Sequence, residues 1–225
     1  MIFERLTLIT KEEGLEKLQN STVLVLGLGG VGGHACEALA RSGVGTLIIV
    51  DKDVVDETNI NRQLVALQST IGLPKTDVMK QRILDINPAC TVIAYHTFYN
   101  QDSKEEILSH PIDFICDCID TITFKIDIIK ESILRKIPII SSMGAGNKIY
   151  PERFEIELLH KTTYDPIAKV IRAKLRKEHI DAKIPVVYSK EVPIQTNSTV
   201  IGSTAFNPSV AGLLMAGYTV RNIIE

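Results

Sequence analysis

A short run of strand character, Thr22–Leu26 (TVLVL), passes directly into GLGGVGG and then into VGGHACEALARS. β-Branched and leucine side chains fit a pleated, buried strand. Glycines let the backbone turn tightly, and the Ala, Glu, Leu and Arg that follow favour helix. Strand, glycine turn and helix form the context in which Gly27, Gly29 and Gly32, with Gly30 beside them, make a G-x-G-x-x-G fingerprint. Such a turn aims the amides and the positive dipole end of the following helix at an anion, typically a phosphate. A second apolar run, Thr46–Val50 (TLIIV), ends at Asp51, placed to accept hydrogen bonds from ribose hydroxyls. A glycine turn alone equally suits a packing turn with a capping Asp, but the strand-end carboxylate favours a nucleotide. Which nucleotide is a separate matter, because nicotinamide and flavin enzymes use the same fingerprint.

Alternation continues downstream. Lys75 to Ile86 has helical character and stops at Asn87-Pro88; Thr91 to Tyr95 and Ile112 to Asp117 are the next two strands. An amphipathic helix from about Phe124 to Lys136 and a strand from Ile137 to Ser141 follow. The pattern predicts an α/β fold with a Rossmann-like, doubly wound, mostly parallel sheet. Beyond Gly146, Arg153 to Leu159 alternates polar and apolar as an antiparallel strand does, then come a basic helix, an extended segment at Pro185 to Tyr188, and a helix over Pro208 to Ile224. The C-terminal part is therefore expected to extend the sheet with antiparallel strands. With 225 residues and no Pro/Gly-rich linker, one domain spanning 1–225 is expected, with a nucleotide core at about 20–146 and an acceptor-side extension at about 147–225. The apolar stretch Val210 to Val220 is about half the ~20 residues of a membrane span, so a buried helix and no membrane partner are expected.

Chemistry concentrates in DKDVVDETNINRQLVALQSTIGLPKTDV. A dehydrogenase has no evident use for Asn59, Asn61, Arg62 and Lys75 near a phosphate turn, whereas breaking a phosphoanhydride calls for fixed cations on the developing pyrophosphate. Arg62 and Lys75 are candidates for those cations. Asp117 and Asp120, in CDCID at the end of the fourth strand, offer oxygen ligands for Mg²⁺. The bland alternatives are loop-end surface charges for Arg62 and Lys75, and a structural carboxylate for Asp117.

GLGGVG, a strand-end Asp, T-N-x-N-R-Q, G-x-P-K and D-C-x-D, in this order over roughly residues 20–146, resemble the ubiquitin-activating-type (ThiF/MoeB/HesA) adenylating enzymes. The resemblance implies ATP cleaved between its α and β phosphates. By that resemblance Asp51 binds the ribose, Asn59, Arg62 and Lys75 bind the triphosphate, and Asp120 binds Mg²⁺. It also implies a homodimer in which an N-terminal Arg reaches the partner's ATP, and Arg5 is similar in position; a solvated terminal charge is the alternative. TTYDPIAKVIRAKLRKEHI, PVVYSKEVP and GSTAFNPSVAGLLMAGYTV resemble the tRNA threonylcarbamoyladenosine dehydratase branch of that family. Members of that branch activate a carboxylate on modified tRNA, and an internal nucleophile then closes a ring with net loss of water.

The four cysteines, Cys36, Cys90, Cys116 and Cys118, all lie in the first 118 residues without zinc spacing, which suggests a reduced cytoplasmic setting. No cysteine follows to accept a thioester, and Cys116 and Cys118, in or beside a buried strand, are expected to be packing residues. Net charge is −2, so any polyanion must meet a local patch. Lys161 to Lys190 supplies one, with eight Lys/Arg against three acids. Lys169, Arg172 and Arg176 are the candidate tRNA contacts, against the alternative of a merely solvated helix. Tyr188, Ser189, Lys190 and Glu191 are candidates for acting on the acceptor. Three rivals stay open: an adenylyltransferase activating the C-terminal glycine of a sulfur-carrier protein, with a sulfur-transfer partner; a nicotinamide oxidoreductase; and a nucleotide-sensing tRNA-binding module.

Overall fold

The computed structural model of the protein describes residues 2–180 and 183–225. Its strands are β1 (Thr22–Leu26), β2 (Thr46–Val50), β3 (Thr91–Tyr95), β4 (Phe114–Asp117), β5 (Ile139–Ser142), β6 (Phe154–Leu158) and β7 (Pro185–Ser189). They form one sheet in the order β3-β2-β1-β4-β5-β7-β6. All neighbours run parallel except β6, which pairs antiparallel with β7 from Phe154↔Ser189 to Leu158↔Pro185. The chain leaves β1 toward β2 and β3, then returns to the other side of β1 as β4. That reversal opens a crevice at the carboxyl ends of β1 and β4, where doubly wound sheets bind ligands.

Side chains alternate across the strands, so each face has its own core. Val23, Val25, Leu47 and Ile49 point to one face, with Leu18, Leu39, Met79 and Met215. Leu24, Leu26, Ile48 and Val50 point to the other, with Ile128, Ile129 and Ile171. Each such Leu or Ile contributes about 1.5–3 kcal/mol by leaving water. The first face is covered by α1 (Glu4–Gln19), α2 (Gly32–Arg41), α3 (Lys75–Ile86) and α7 (Phe206–Ile224). The second is covered by α4 (Lys104–Ile107), α5 (Ile122–Arg135) and α6 (Pro166–Lys177).

Small residues let α7 approach closely: a Cβ on Gly212 would fall 2.3 Å from the Val31 carbonyl oxygen beneath the glycine turn. Ala211, Met215, Ala216 and Thr219 are buried along the same face, so the Val210 to Val220 stretch is core. Among the described residues no helix is long and apolar enough to cross a membrane. Boundaries moved where caps intervene. α5 ends at Lys136 in the left-handed region (φ 57°), and the Ile137 amide closes that cap on the Ser132 carbonyl, so β5 starts at Ile139 rather than Ile137.

Candidate functional site

The crevice opens into a cavity of about 790 Å³. Its first wall is the glycine turn. Gly27 has φ +88°, and a Cβ there would press to 2.8 Å from the Cys118 carbonyl oxygen; one on Gly32 would fall 1.8 Å from the Gly27 carbonyl oxygen. Both positions are closed to any side chain by the fold itself. Gly29 differs, because a Cβ there would meet only Gln63 Nε2, at 3.8 Å. Its missing side chain keeps room in the cavity rather than in the core. α2 begins at Gly32 with no acidic residue in its first turn, and Gly29, Gly30 and its N-cap Val31 line the cavity, so the positive end of the helix lies at that wall.

Asp51 closes β2 and holds the turn: Oδ2 accepts from the Leu28 amide at 2.6 Å and Oδ1 from the Asp53 amide at 2.8 Å. Two carboxylate oxygens offer about four acceptor positions, so Asp51 keeps capacity for hydroxyl donors. Lys75 opens α3; it is buried, and its Nζ lies 3.0 Å from Asp53 Oδ2. Arg62 is half-buried and donates from Nη1 to the Thr58 carbonyl at 2.7 Å and to Asn61 Oδ1 at 2.9 Å. Asn59 Oδ1 accepts from the Asp56 amide at 3.2 Å. Hydrogen bonds from Thr58 keep the Asp56 carboxyl below the usual carboxylate range. Gly27, Gly29, Gly30, Asp51, Asn59, Arg62, Lys75 and Asp120 therefore line one cavity, whereas Gly32 does not reach it and Asn61 turns to the Ser203 carbonyl.

The two aspartates of CDCID separate. Asp117 is fully buried: Oδ2 accepts from Lys125 Nζ at 2.8 Å and from Ser141 Oγ at 2.5 Å, and Oδ1 from the Ile119 amide at 3.1 Å. It is a scaffold group and leaves the pair expected to hold Mg²⁺, because its lone pairs already face a buried ammonium, a hydroxyl and an amide. Asp120 is exposed in the cavity wall and, among the described residues, accepts only from Thr121 Oγ1, at 3.2 Å. Lys125 was invisible as a partner from sequence, since the eight-residue spacing becomes a contact only once α5 packs on β4.

Other expectations shift as well. Arg5 is exposed on α1 and lies outside the cavity of its own chain; Phe3 beside it packs at Gly43, beyond the far end of α2. Tyr188, Ser189, Lys190 and Glu191 do not line the cavity. Tyr188 Oη and Lys190 Nζ bind Glu155, at 2.8 and 2.7 Å, and buried Glu191 accepts from the Ile149 and Tyr150 amides. On α6, Lys169 and Arg176 are exposed, but Arg172 turns inward and donates to the Leu159 and Thr162 carbonyls at 3.2 and 2.9 Å and to Thr162 Oγ1. Its guanidinium secures the turn before the helix rather than facing solvent. Burial raises the Cys90 thiol to about 11 and the Cys116 thiol to about 12, and lifts Cys36 and Cys118 well above the ordinary value. None is a ready nucleophile.

Sequence reasoning also missed Lys148 and Asp165, a buried ion pair at 3.3 Å that lines the same cavity. Asp-Pro before a helical run signals an N-cap, but nothing in the spacing joins it to Lys148.

A mostly parallel sheet reversing at β1/β4, a glycine turn and a strand-end Asp define a Rossmann-like α/β protein. The chain belongs to the ThiF family, whose model matches residues 3–223. It is 51% identical over 240 aligned positions to the tRNA threonylcarbamoyladenosine dehydratase of Bacillus subtilis (strain 168), across 99% of this chain and 94% of that protein. It also superimposes on E. coli tRNA N6-threonylcarbamoyladenosine dehydratase, TcdA, in complex with ATP, with a TM-score of 0.93 and 30% identity over 99% of this chain and 93% of the other. With the AMP complex of the same enzyme the TM-score is 0.92.

Proposed function

We propose that this protein uses ATP to adenylate the carboxylate of threonylcarbamoyladenosine in tRNA and drives its cyclising dehydration. The observation that carries this reading is 51% identity to a dehydratase across nearly the full length of both chains. The cavity supports it. A carboxylate is a poor electrophile until one of its oxygens carries AMP and becomes part of a good leaving group. The carboxylate oxygen attacks the α-phosphorus, the α–β anhydride bond breaks and pyrophosphate departs. A nucleophile on the carbamoyl group then attacks the acyl carbon and releases AMP.

In this scheme the amide end of α2 meets the α-phosphate, Asp51 accepts the ribose hydroxyls, and Asn59, Arg62 and Lys75 hold the leaving phosphates. Lys75 suits the task because burial and Asp53 fix its ammonium at the cavity, and Arg62 because, among the described residues, only Nη1 of its guanidinium makes hydrogen bonds. Mg²⁺ normally takes one or two carboxylates with substrate phosphates completing its shell. Asp120, accepting from one hydroxyl alone, fits that mode, and among the described residues no cluster of three or more ligating side chains offers another. Bound there, the ion would neutralise charge developing on the phosphates. Leu8 and Ile9 on α1, 83% and 84% exposed, favour a homodimer whose Arg5 serves the partner's site. We further propose a cytoplasmic, ligase-type enzyme built as one unit, with Lys169 and Arg176 meeting tRNA phosphates.

Incubation with ATP, Mg²⁺ and total tRNA, followed by mass analysis of nucleosides, should show threonylcarbamoyladenosine losing one water. Pyrophosphate exchange stimulated by a Gly-Gly-ended carrier protein and not by tRNA would replace this reading with the sulfur-carrier one.

A further inference from the structure

The cavity extends past the part that serves the nucleotide. Asp51, the glycine turn and Asp120 follow the neighbouring strands β2, β1 and β4, whereas Met143–Lys148 follows β5 and Asp165–Ile167 opens α6. Adjacent strands lie about 4.8 Å apart, so the wall after β5 stands about 10 Å from the turn after β1.

That wall contains a buried cation. Lys148 is 3% exposed, and its Nζ donates to the Gly144 carbonyl at 2.6 Å and to Asp165 Oδ2 at 3.3 Å. An ammonium has three donors, so one N–H is left, and Gly144, Lys148 and Asp165 all line the cavity. The Phe154 ring centroid lies 5.6 Å from Nζ and gives the ammonium an aromatic face in place of water. Asp165 binds in three directions: Oδ2 also accepts from the Gly144 amide at 3.1 Å, and Oδ1 caps α6 by accepting from the Ala168 amide at 2.9 Å. The same ion pair therefore fixes the start of the helix that presents Lys169 and Arg176 outward.

We propose that Lys148 receives the acceptor's carboxylate, seating the threonylcarbamoyl group between Gly144–Lys148 and the first turn of α6. The inference rests on the function proposed above. A carboxylate leaving bulk water is best met by a charged donor, and the proposed reaction already assigns Arg62 and Lys75 to the phosphates. Asp165 also tempers the site. Because the ammonium is already paired, it orients the carboxylate without trapping it, and adenylation removes the acceptor's charge and with it the attraction. The acyl group is then free to turn toward its internal nucleophile.

A ligand cycle tests this. RNA oligonucleotides carrying threonylcarbamoyladenosine, or the same group with the carboxylate replaced by hydrogen, are titrated against protein saturated with α,β-methylene ATP, which blocks cleavage. The wild-type protein should prefer the carboxylate-bearing RNA by about tenfold or more, as loss of a charge-assisted hydrogen bond implies. Lys148→Met combined with Asp165→Asn leaves no unpaired buried charge and should bind both RNAs within about twofold, with affinity for the ATP analogue unchanged. Lys148→Gln, which keeps two donors for Gly144 and Asp165 but no charge, is the second variant and should lose the preference too. Thermal melting confirms the fold of each. Variants that keep the wild-type preference overturn the role of Lys148 and leave the proposed function standing. A wild-type protein without preference overturns the inference, and the proposed function falls with it only if tRNA also fails to stimulate pyrophosphate exchange.

Discussion

Replacing Lys125 by Met should destabilise the protein severely and reveal Asp117 as part of the scaffold. Asp117 and Lys125 have side chains 0% and 1% exposed, 2.8 Å apart. Methionine fills most of the lysine volume but leaves the carboxylate with only Ser141 Oγ and the Ile119 amide. Stranding one member of a buried pair costs about 3–5 kcal/mol. For a chain of this size each kcal/mol moves Tm by about 2–4 °C, so the expected fall is about 6–20 °C. Lys125→Met with Asp117→Asn removes both charges and should recover most of the loss, because a neutral pair has little desolvation to offset. Asp120→Asn should behave oppositely. Its carboxylate is exposed and accepts from one hydroxyl, so Tm should stay within about 2 °C while pyrophosphate release collapses. Differential scanning calorimetry at fixed protein concentration, with and without ATP, checks all four proteins. If Lys125→Met melts within 2 °C of wild type, or if Asp120→Asn loses as much stability as Lys125→Met, the division of labour between the two aspartates is wrong.

Lys75→Ala and Arg62→Ala should each cut pyrophosphate release by more than about 100-fold, with Tm little changed for Arg62, measured by coupled pyrophosphatase assay. Lys169→Ala with Arg176→Ala should lower the salt slope of tRNA binding by about 2, one per phosphate contact, whereas Arg172→Ala should instead cost about 1.5–3 kcal/mol in urea unfolding because it strands carbonyls of the Leu159–Thr162 turn. The Lys104–Glu131–Arg135 cluster sets a pH window: the hydrogen bond from Lys104, outweighing burial and aided by Arg135, holds Glu131 below the usual carboxylate value, and Glu131 holds Lys104 above the usual amine value. Its contribution should be lost as pH falls through the lowered Glu131 value and, separately, as pH rises through the raised Lys104 value, so Glu131→Gln should flatten the decline of Tm between about pH 5 and 3.

Much of the fold was legible because its signals are local. TVLVL, TLIIV and the glycine turn each carry their structure within a few residues, and β1, β2, β3 and α3 fall where the pattern puts them. The cavity wall from Gly27 to Lys75 was legible for the same reason, since Asp51, Asn59, Arg62 and Lys75 follow the switch point in one stretch of chain. What escaped depends on packing between distant elements. Asp117 meets Lys125 only when α5 lies on β4, Arg172 folds back on Thr162, and Lys148 reaches Asp165 across the β6 excursion. Charged residues on a basic helix look alike in sequence, and the structure separates Arg172 from Lys169 by the carbonyls within its reach.

The carboxyl edge of the sheet shows how identical side chains acquire different work. Asp51, Asp117, Asp120 and Asp165 all sit near this crevice, and each carboxylate begins with about four acceptor positions. Asp117 and Asp165 each accept from three donors, one of them a buried ammonium, so most of their capacity is spent on the scaffold. Asp51 accepts from two amides that shape the glycine turn, which leaves room for hydroxyl donors and ties the ligand to the backbone that would cradle its phosphates. Asp120 accepts from one hydroxyl and is the group freest to take a cation. The lysines divide in parallel. Lys125 has both its bonds to groups outside the cavity wall, whereas Lys75 and Lys148 pair with aspartates that line it. An ammonium held by a wall carboxylate is fixed in place yet still open to a second anion. Lys75 and Lys148 are two such cations in one cavity, and the proposed reaction would use the first on the departing phosphates and the second on the acceptor.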